Sequence, residues 1–264
     1  MDSLVTILLA SVAATAVMML SLWIASLVKK DASIVDTFWG LGFVQIATIG
    51  AIFSPAITNR KILVAVLVAI WGIRLSLHIF LRNRGKGEDF RYKAMRERHG
   101  DKFPIVSLFT VFLFQGALMI IISLPLQVAQ TALYPKSLSW LDYLGTAVWL
   151  TGFLFEAVAD WQLKRFKSSP ENKGKVLDSG LWRYSRHPNY FGESVVWWGY
   201  FLIALATPLG AWTIVSPLLM TLLLIKVSGV SLLEQTLVKT KPEYTKYIKS
   251  TSAFFPWLPK SKDF

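Results

Sequence analysis

Residues 4–28 read LVTILLASVAATAVMMLSLWIASLV, a run without a single charged side chain that ends on Lys29-Lys30. As a helix at 1.5 Å per residue it extends about 37 Å, more than the roughly 30 Å hydrocarbon core of a bilayer. Nothing basic precedes it and it is too long for a signal-peptide core, so it reads as a retained membrane helix. Further apolar runs lie at 38–57, 61–81, 104–129, 138–160, 190–207 and 210–231, the last two separated only by the turn Thr207-Pro208-Leu209-Gly210. The expectation is an all-α integral membrane protein with seven transmembrane helices.

The whole composition agrees. The chain of 264 residues is 54% hydrophobic and 17% charged, with mean hydropathy +0.48, and a water-soluble domain of that make-up would expose too much apolar surface. The absence of Cys excludes disulfides, Cys-based zinc sites, iron–sulfur clusters and thiol catalysis. His78, His99 and His187 are too few for a His-rich di-iron centre, so no metal is expected. An excess of 28 Lys and Arg over 16 Asp and Glu could suggest nucleic acid, but basic loops meeting anionic lipid headgroups or an anionic ligand explain it more simply. Those cations are unevenly placed. Lys29, Lys30, the stretches Arg82–Lys102 and Lys164–Arg186, and the tail Lys239–Lys262 fall on one side, whereas the other side holds only Arg60, Lys61 and Lys136. By the positive-inside rule the N-terminus lies outside and the C-terminus is cytoplasmic. No internal repeat or low-complexity linker divides the chain, which reads as one domain over 1–264.

Ionisable groups in or beside apolar runs are costly and therefore informative. Asp36 stands at the mouth of the second run, in Ile34-Val35-Asp36-Thr37-Phe38-Trp39-Gly40, where it suits either an N-cap or a site. Arg74 and His78 share a face of the third helix and lead into Arg82-Asn83-Arg84-Gly85-Lys86-Gly87-Glu88-Asp89-Phe90-Arg91-Tyr92. Glu156 and Asp160 are four apart at the cytoplasmic end of the fifth helix, followed by Lys164, Arg165 and Lys167; they read as intrahelical ion pairs or as the lining of a polar ligand site. The densest segment is Ser179-Gly180-Leu181-Trp182-Arg183-Tyr184-Ser185-Arg186-His187-Pro188-Asn189-Tyr190-Phe191-Gly192-Glu193. A loop serving topology alone would need only Lys or Arg; here Arg, His, Asn, Tyr and Glu crowd a helix start whose free N–H groups favour an anion.

Arg186-His187-Pro188-Asn189-Tyr190-Phe191-Gly192-Glu193, together with Asp36, Trp39-Gly40, the 82–92 stretch, and the terminal Glu243-Tyr244-Thr245-Lys246-Tyr247 and Phe255-Pro256, resembles the steroid 5α-reductase family in its bacterial branch. Sterol reductases and isoprenylcysteine methyltransferases are related to that family. The resemblance implies a seven-helix enzyme that binds NADPH from the cytosol and reduces a carbon–carbon double bond conjugated to a carbonyl, such as the 4,5 double bond of a 3-oxo-4-ene steroid. It places residues 1–130 mainly on the substrate side and 131–264 mainly on the cofactor side. Glu156, Asp160, Lys164, Lys167, Lys175, Tyr184, Asn189, Glu193 and Tyr244 then fall near the cofactor, and the bacterial inner membrane, or the endoplasmic reticulum of a eukaryote, is the implied location.

The chemistry fits these residue types. No Gly-x-Gly-x-x-Gly follows a strand, so a dinucleotide would have to be held by the helices and their loops. Its phosphates could be neutralised by Arg74, Arg82 and Arg91 with Asn83 beside them, by Lys164, Arg165, Lys167 and Lys175, and by Arg183, Arg186 and His187. Reducing an enone also needs an acid to polarise the carbonyl. Asp36 is the expected donor, because burial beside an apolar substrate would keep it protonated, with Tyr92 and His78 as candidates for a second. Phe38, Trp39 and Phe43 are expected to line an apolar cavity for a flat, steroid-like molecule partitioning from lipid. Two rivals stay open on the residues alone: an S-adenosylmethionine-dependent membrane methyltransferase of the isoprenylcysteine type, and a non-catalytic lipid-binding membrane protein.

Overall fold

A computed structural model of the chain describes residues 2–227, 234, 237, 238 and 240–260. The described residues form helices and turns, with no strand among them. In chain order the α-helices are α1 (Asp2–Lys29), α2 (Ile34–Thr37), α3 (Trp39–Phe53), α4 (Asn59–Asn83), α5 (Phe90–His99), α6 (Phe103–Ser107), α7 (Phe114–Ile122), α8 (Leu124–Thr131), α9 (Trp140–Ser168), α10 (Pro188–Leu205), α11 (Val215–Leu222) and α12 (Tyr244–Ser250). Among the described residues, three continuous helical stretches are long and apolar enough to cross a membrane: Ser3–Lys29, Asn59–Asn83 and Phe90–Ile122. Large apolar side chains line the exposed face of α1 at Val5, Leu9, Val12, Val17, Leu20, Ile24 and Val28, and that of α4 at Ile62, Val66, Ile70, Ile73, Leu77 and Phe80.

The expected runs correspond to observed helices, with shifted ends that have local causes. The second run stops at Phe53, because Ser54 precedes Pro55 and takes extended backbone, with ψ 139°. The fourth starts much earlier than expected, at Phe90, where the Asp89 carboxylate accepts from the Arg91 N–H at 3.0 Å and caps α5 inside the basic stretch. It then breaks at Ser123 and restarts as α8, with Pro125 in the first turn, where its missing N–H costs nothing. The seventh run is a 3-10 turn (Ala211–Ile214), α11 and a π-helical turn (Leu223–Val227); its expected end at 228–231 lies outside the described residues, as do Lys239 and Lys262.

The chain divides into two compact units. The first comprises Met1–Ser139 and Ala204–Thr213. Within it α3 and α4 touch backbone to backbone: a Cβ on Gly40 would stand 2.3 Å from the Gly72 carbonyl oxygen. The approach is locked by the Leu41 N–H, which donates to Ser76 Oγ at 3.0 Å. Trp71 and Phe43 are fully buried, Phe43 packing edge-on to Trp39 with ring centroids 5.3 Å apart. Arg60, also buried, donates to the Pro135 carbonyl at 3.1 Å and so ties the start of α4 to the chain segment after α8. The turn at 207–210 requires glycine at its end, since a Cβ on Gly210 would sit 1.8 Å from the Ala204 carbonyl oxygen.

The second unit comprises Trp140–Ile203 and Ile214–Phe264. Here α9 and α10 meet through Gly145 against Gly199 and Gly152 against Gly192, with virtual Cβ-to-carbonyl distances of 2.6–2.8 Å. Small residues one heptad apart on both helices permit this approach, the usual basis of helix pairing in an apolar solvent.

Candidate functional site

In the first unit, Asp36 sits inside α2 rather than at a cap, since the residue preceding α3 is Phe38. Tyr92, on the first turn of α5 and 7% exposed, donates its hydroxyl to Asp36 Oδ1 at 2.6 Å. Arg91 Nη2 donates to Asp36 Oδ2 at 2.8 Å, and its Nε donates to Asp89 Oδ1, also at 2.8 Å. Gln115 Nε2 extends the chain, reaching the Tyr92 hydroxyl oxygen at 3.3 Å. Burial raises the pKa of Asp36, while the Arg91 guanidinium and the Tyr92 hydroxyl pull it down; burial prevails. A second latch fixes the polar loop beneath. Glu88 accepts from the Ala32 N–H at 2.8 Å and from Arg96 Nη2 at 2.8 Å and Nε at 3.0 Å. Burial works to raise the Glu88 pKa, but these donors hold it below the ordinary value.

Of the other expected residues of this unit, Arg82 is near enough for its charge to act on Asp36. Arg82 is exposed and donates to the Asn83 side chain at 3.2 Å. Arg74 and His78 are half-buried on α4. Phe38 and Trp39 are half-buried, whereas Phe43 belongs to the packed core.

In the second unit the dense segment forms one structural knot. Arg186, 8% exposed, grips the Glu234 carboxylate with Nε at 2.7 Å and Nη2 at 3.1 Å, and its Nη1 donates to the carbonyls of Ile248, at 3.1 Å, and Thr251. His187 Nε2 lies 3.2 Å from Glu234 Oε1, and its ring stacks on Tyr190. Burial would raise the Glu234 pKa, but His187 and Arg186 bring it down to about 2. The terminal segment is pinned to the same place: Ser185 Oγ donates to the Phe254 carbonyl at 2.8 Å, the Arg186 N–H to Ser252 at 2.9 Å, and the Trp257 N–H to Tyr184 at 2.9 Å. The two motifs at 186–193 and 243–256 thus belong to one construction.

Beside it, Asn189 Nδ2 donates to Asp160 Oδ1 at 3.1 Å, joining α10 to α9. Glu156 and Glu193 are buried, at 2% and 9% exposure. Tyr244 is 3% exposed and lies beside Arg186 and Glu234; burial, reinforced by Glu234, raises its pKa. Lys164, Arg165, Lys167, Lys175, Arg183 and Tyr184 lie at the surface. A cleft of about 550 Å³ is lined by Asp178, Ser179, Gly180, Arg183, Ser250, Thr251, Pro259 and Lys260. Among the described residues no group of three or more His, Asp or Glu side chains is placed to hold a metal ion.

Sequence reasoning does not single out Glu234, although a lone acid just past the last apolar run is a detectable signal. It also passes over Gln45, Gln115, Gln127 and Gln130, amides set inside apolar runs. Gln127 Oε1, Gln130 Oε1 and Gln45 Oε1 are buried without a partner among the described residues, as are Ser11 Oγ and Thr15 Oγ1. Each such atom costs on the order of 1–3 kcal/mol.

Comparison with known proteins now places the chain. The model of a family described as "Protein of unknown function (DUF1295)" matches residues 22–251. The chain belongs to that family. An uncharacterized protein of Schizosaccharomyces pombe is 26% identical over 268 residues, which cover 91% of this chain and 77% of that protein. The 3-oxo-5-alpha-steroid 4-dehydrogenase 1 of Bos taurus is 40% identical over 58 residues, 22% of this chain and 23% of the bovine protein. The Homo sapiens protein of the same description is 36% identical over 59 residues, with the same shares. The similarity of this DUF1295 member to the two dehydrogenases is therefore local, spanning less than a quarter of their length. No solved structure matches.

Proposed function

We propose that this chain is a multi-pass membrane reductase, with seven spans and its C-terminus in the cytoplasm, that uses NADPH to saturate a carbon–carbon double bond conjugated to a carbonyl. The substrate class is a 3-oxo-4-ene steroid or a molecule of like shape, drawn from the lipid. The observation that carries this reading is the Tyr92 hydroxyl donated to a half-buried Asp36 at 2.6 Å, with a pKa for Asp36 above the ordinary carboxylate value. The local similarity to two 3-oxo-5-alpha-steroid 4-dehydrogenases and the apolar helices support it. The organelle or bacterial membrane involved follows from the resemblance alone.

In this mechanism Asp36 and Tyr92 hold the proton that polarises the substrate carbonyl. Charge building on that oxygen is stabilised by a group preset in an apolar surrounding, where such a hydrogen bond is worth most. Arg91 and Gln115 orient the pair. NADPH, when bound, supplies the hydride that the β-carbon receives. The residues present fit a polyanionic nucleotide at the surface cations Lys164, Arg165, Lys167, Lys175 and Arg183. Arg186 and His187 are committed inward to Glu234, so in this reading they shape the segment while Arg183 faces the phosphates.

The test is NADPH oxidation by the purified chain given a 3-oxo-4-ene steroid, alongside thermal stabilisation by NADPH and by S-adenosylmethionine, since a ligand that binds only the folded form raises the midpoint. Stabilisation by NADPH and turnover are expected. Stabilisation by S-adenosylmethionine alone would replace the reading with a methyltransferase, and stabilisation by neither would leave a lipid-binding protein.

A further inference from the structure

Two polar bridges join α5 to the chain around α2. One is Asp36 with Tyr92 and Arg91. The other lies four positions away on both sides: Ala32 precedes Asp36 by four residues and Arg96 follows Tyr92 by four, one turn along α5. Glu88 spans that second gap. Its Oε1 accepts from the Ala32 N–H and from Arg96 Nη2, each at 2.8 Å, and its Oε2 accepts from Arg96 Nε at 3.0 Å. The guanidinium thus meets the carboxylate with two donors, an arrangement that fixes direction as well as distance. Arg96 in turn lies over the ring of the buried Phe103, 4.2 Å from its centroid. The carbonyl of the next residue, Pro104, accepts from Trp23 Nε1 of α1 at 2.9 Å, so the far end of the bridge rests on α6 and α1.

An ordinary role for such a carboxylate is to staple its own loop, and the loop argues against that. Residues 84–87 are exposed, and a Cβ on Gly85 or Gly87 would meet nothing within 4 Å. Their φ angles of +78° and +73° turn the chain through open space, where no packing has to be secured. The Glu88 side chain, by contrast, is 10% exposed, and its three bonds go to the segments that carry Asp36 and Tyr92. Those segments need it. Arg91 and Tyr92 both stand on the first turn of α5, so a swing of that helix about its start would part both donors from Asp36 together. A tie one turn farther along opposes the swing.

Resting on the reductase reading, we infer that Glu88 is a positioning residue of the reaction: by bridging Ala32 and Arg96 it holds α5 in place and so keeps the Tyr92 hydroxyl on Asp36. Reach decides this role rather than charge. Glu88→Gln retains an oxygen for the Ala32 N–H and Arg96 Nη2 and gives up only the bond from Arg96 Nε. Glu88→Asp retains the charge but is one methylene too short to span the gap.

The chain has no Cys, so Lys29→Cys and Lys93→Cys, both at exposed positions, can carry spin labels that report the placement of α5 relative to the end of α1. The distance distribution between the labels is measured by electron paramagnetic resonance on the full-length protein in lipid nanodiscs. Turnover of a 3-oxo-4-ene steroid is measured in parallel and expressed per NADPH-binding site, so that misfolded protein is not counted. Glu88→Ala and Glu88→Asp are expected to broaden the distribution and to lower kcat about tenfold to a hundredfold, with KM held within about twofold, as for a misplaced reacting group. Glu88→Gln should keep the distribution narrow and kcat within about threefold, the loss of one hydrogen bond. Glu97→Gln, at an exposed position of the same helix, should change neither. A narrow distribution or an unaltered kcat in Glu88→Ala overturns the inference and leaves the reductase standing, as does rescue by aspartate but not by glutamine. Should Glu88→Ala fail to fold, the aspartate and glutamine variants decide the same question. Absence of turnover in the unaltered protein overturns the reductase reading, and the distance distributions still report whether Glu88 holds α5.

Discussion

Both units set a half-buried carboxylate against an arginine, and the two pairs differ in how fully the charge is compensated. Glu234 is clasped by two nitrogens of Arg186, with His187 on one of its oxygens, and the remaining Arg186 donor is spent on backbone carbonyls of 248 and 251. Every strong donor there has an acceptor, and the carboxyl pKa falls to about 2. Asp36 has one nitrogen of Arg91 and the hydroxyl of Tyr92, and its pKa rises. A closed network fixes charge and holds chain segments together; an incompletely compensated one lets burial raise the carboxyl pKa.

The comparison breaks first at Asp36. Asp36→Asn should lower turnover about 10²–10⁴-fold while leaving the thermal midpoint nearly unchanged, the range for loss of a positioned acid. Wild-type turnover in that variant would make Asp36 a structural residue. Glu234→Ala should do the reverse, leaving Arg186 buried and unpaired at a cost of about 3–5 kcal/mol, read as a lowered midpoint of the second unit. Next comes Gly152→Ala, which drives a methyl to 2.6 Å from the Gly192 carbonyl oxygen and should cost about 1–3 kcal/mol. Asn189→Ala, which removes a donor from Asp160, should raise the NADPH dissociation constant about tenfold, a loss of roughly 1.4 kcal/mol, with unfolding little affected.

The smallest effect expected is in pH dependence, where the two carboxylates differ in sign. Glu234 has a depressed folded pKa, so its stabilisation is full above its unfolded value near 4.5 and fades as pH falls toward about 2. Asp36 has a raised pKa, so its protonated form, and with it turnover, is present at lower pH and is lost as pH rises through that value. Turnover that stayed flat on the alkaline side would remove Asp36 as the acid.

Much of this is legible in the amino-acid sequence. Uncharged runs such as 4–28 announce helices through length alone, and Asp36, Tyr92, Asp160 and Asn189 stand out as polar groups beside apolar runs. The fold joins them into the pairs Asp36–Tyr92 and Asp160–Asn189. Glu234 and the interior glutamines are not legible in the same way, because an uncharged amide or an isolated acid carries little periodic signal, and its meaning depends on what faces it.

The linear order of residues therefore determined the helices, their approximate limits and the identity of the costly groups, since these follow from hydropathy, proline and capping over a few neighbouring positions. Which of those groups meet was decided only in three dimensions. Arg186 and Glu234 are separated by 48 residues, Asp36 and Tyr92 by 56, and Gln130 and Ala47 by 83. Over such separations no local preference of the backbone acts; the packing of glycine-faced helices sets the register, and with it which arginine meets which carboxylate.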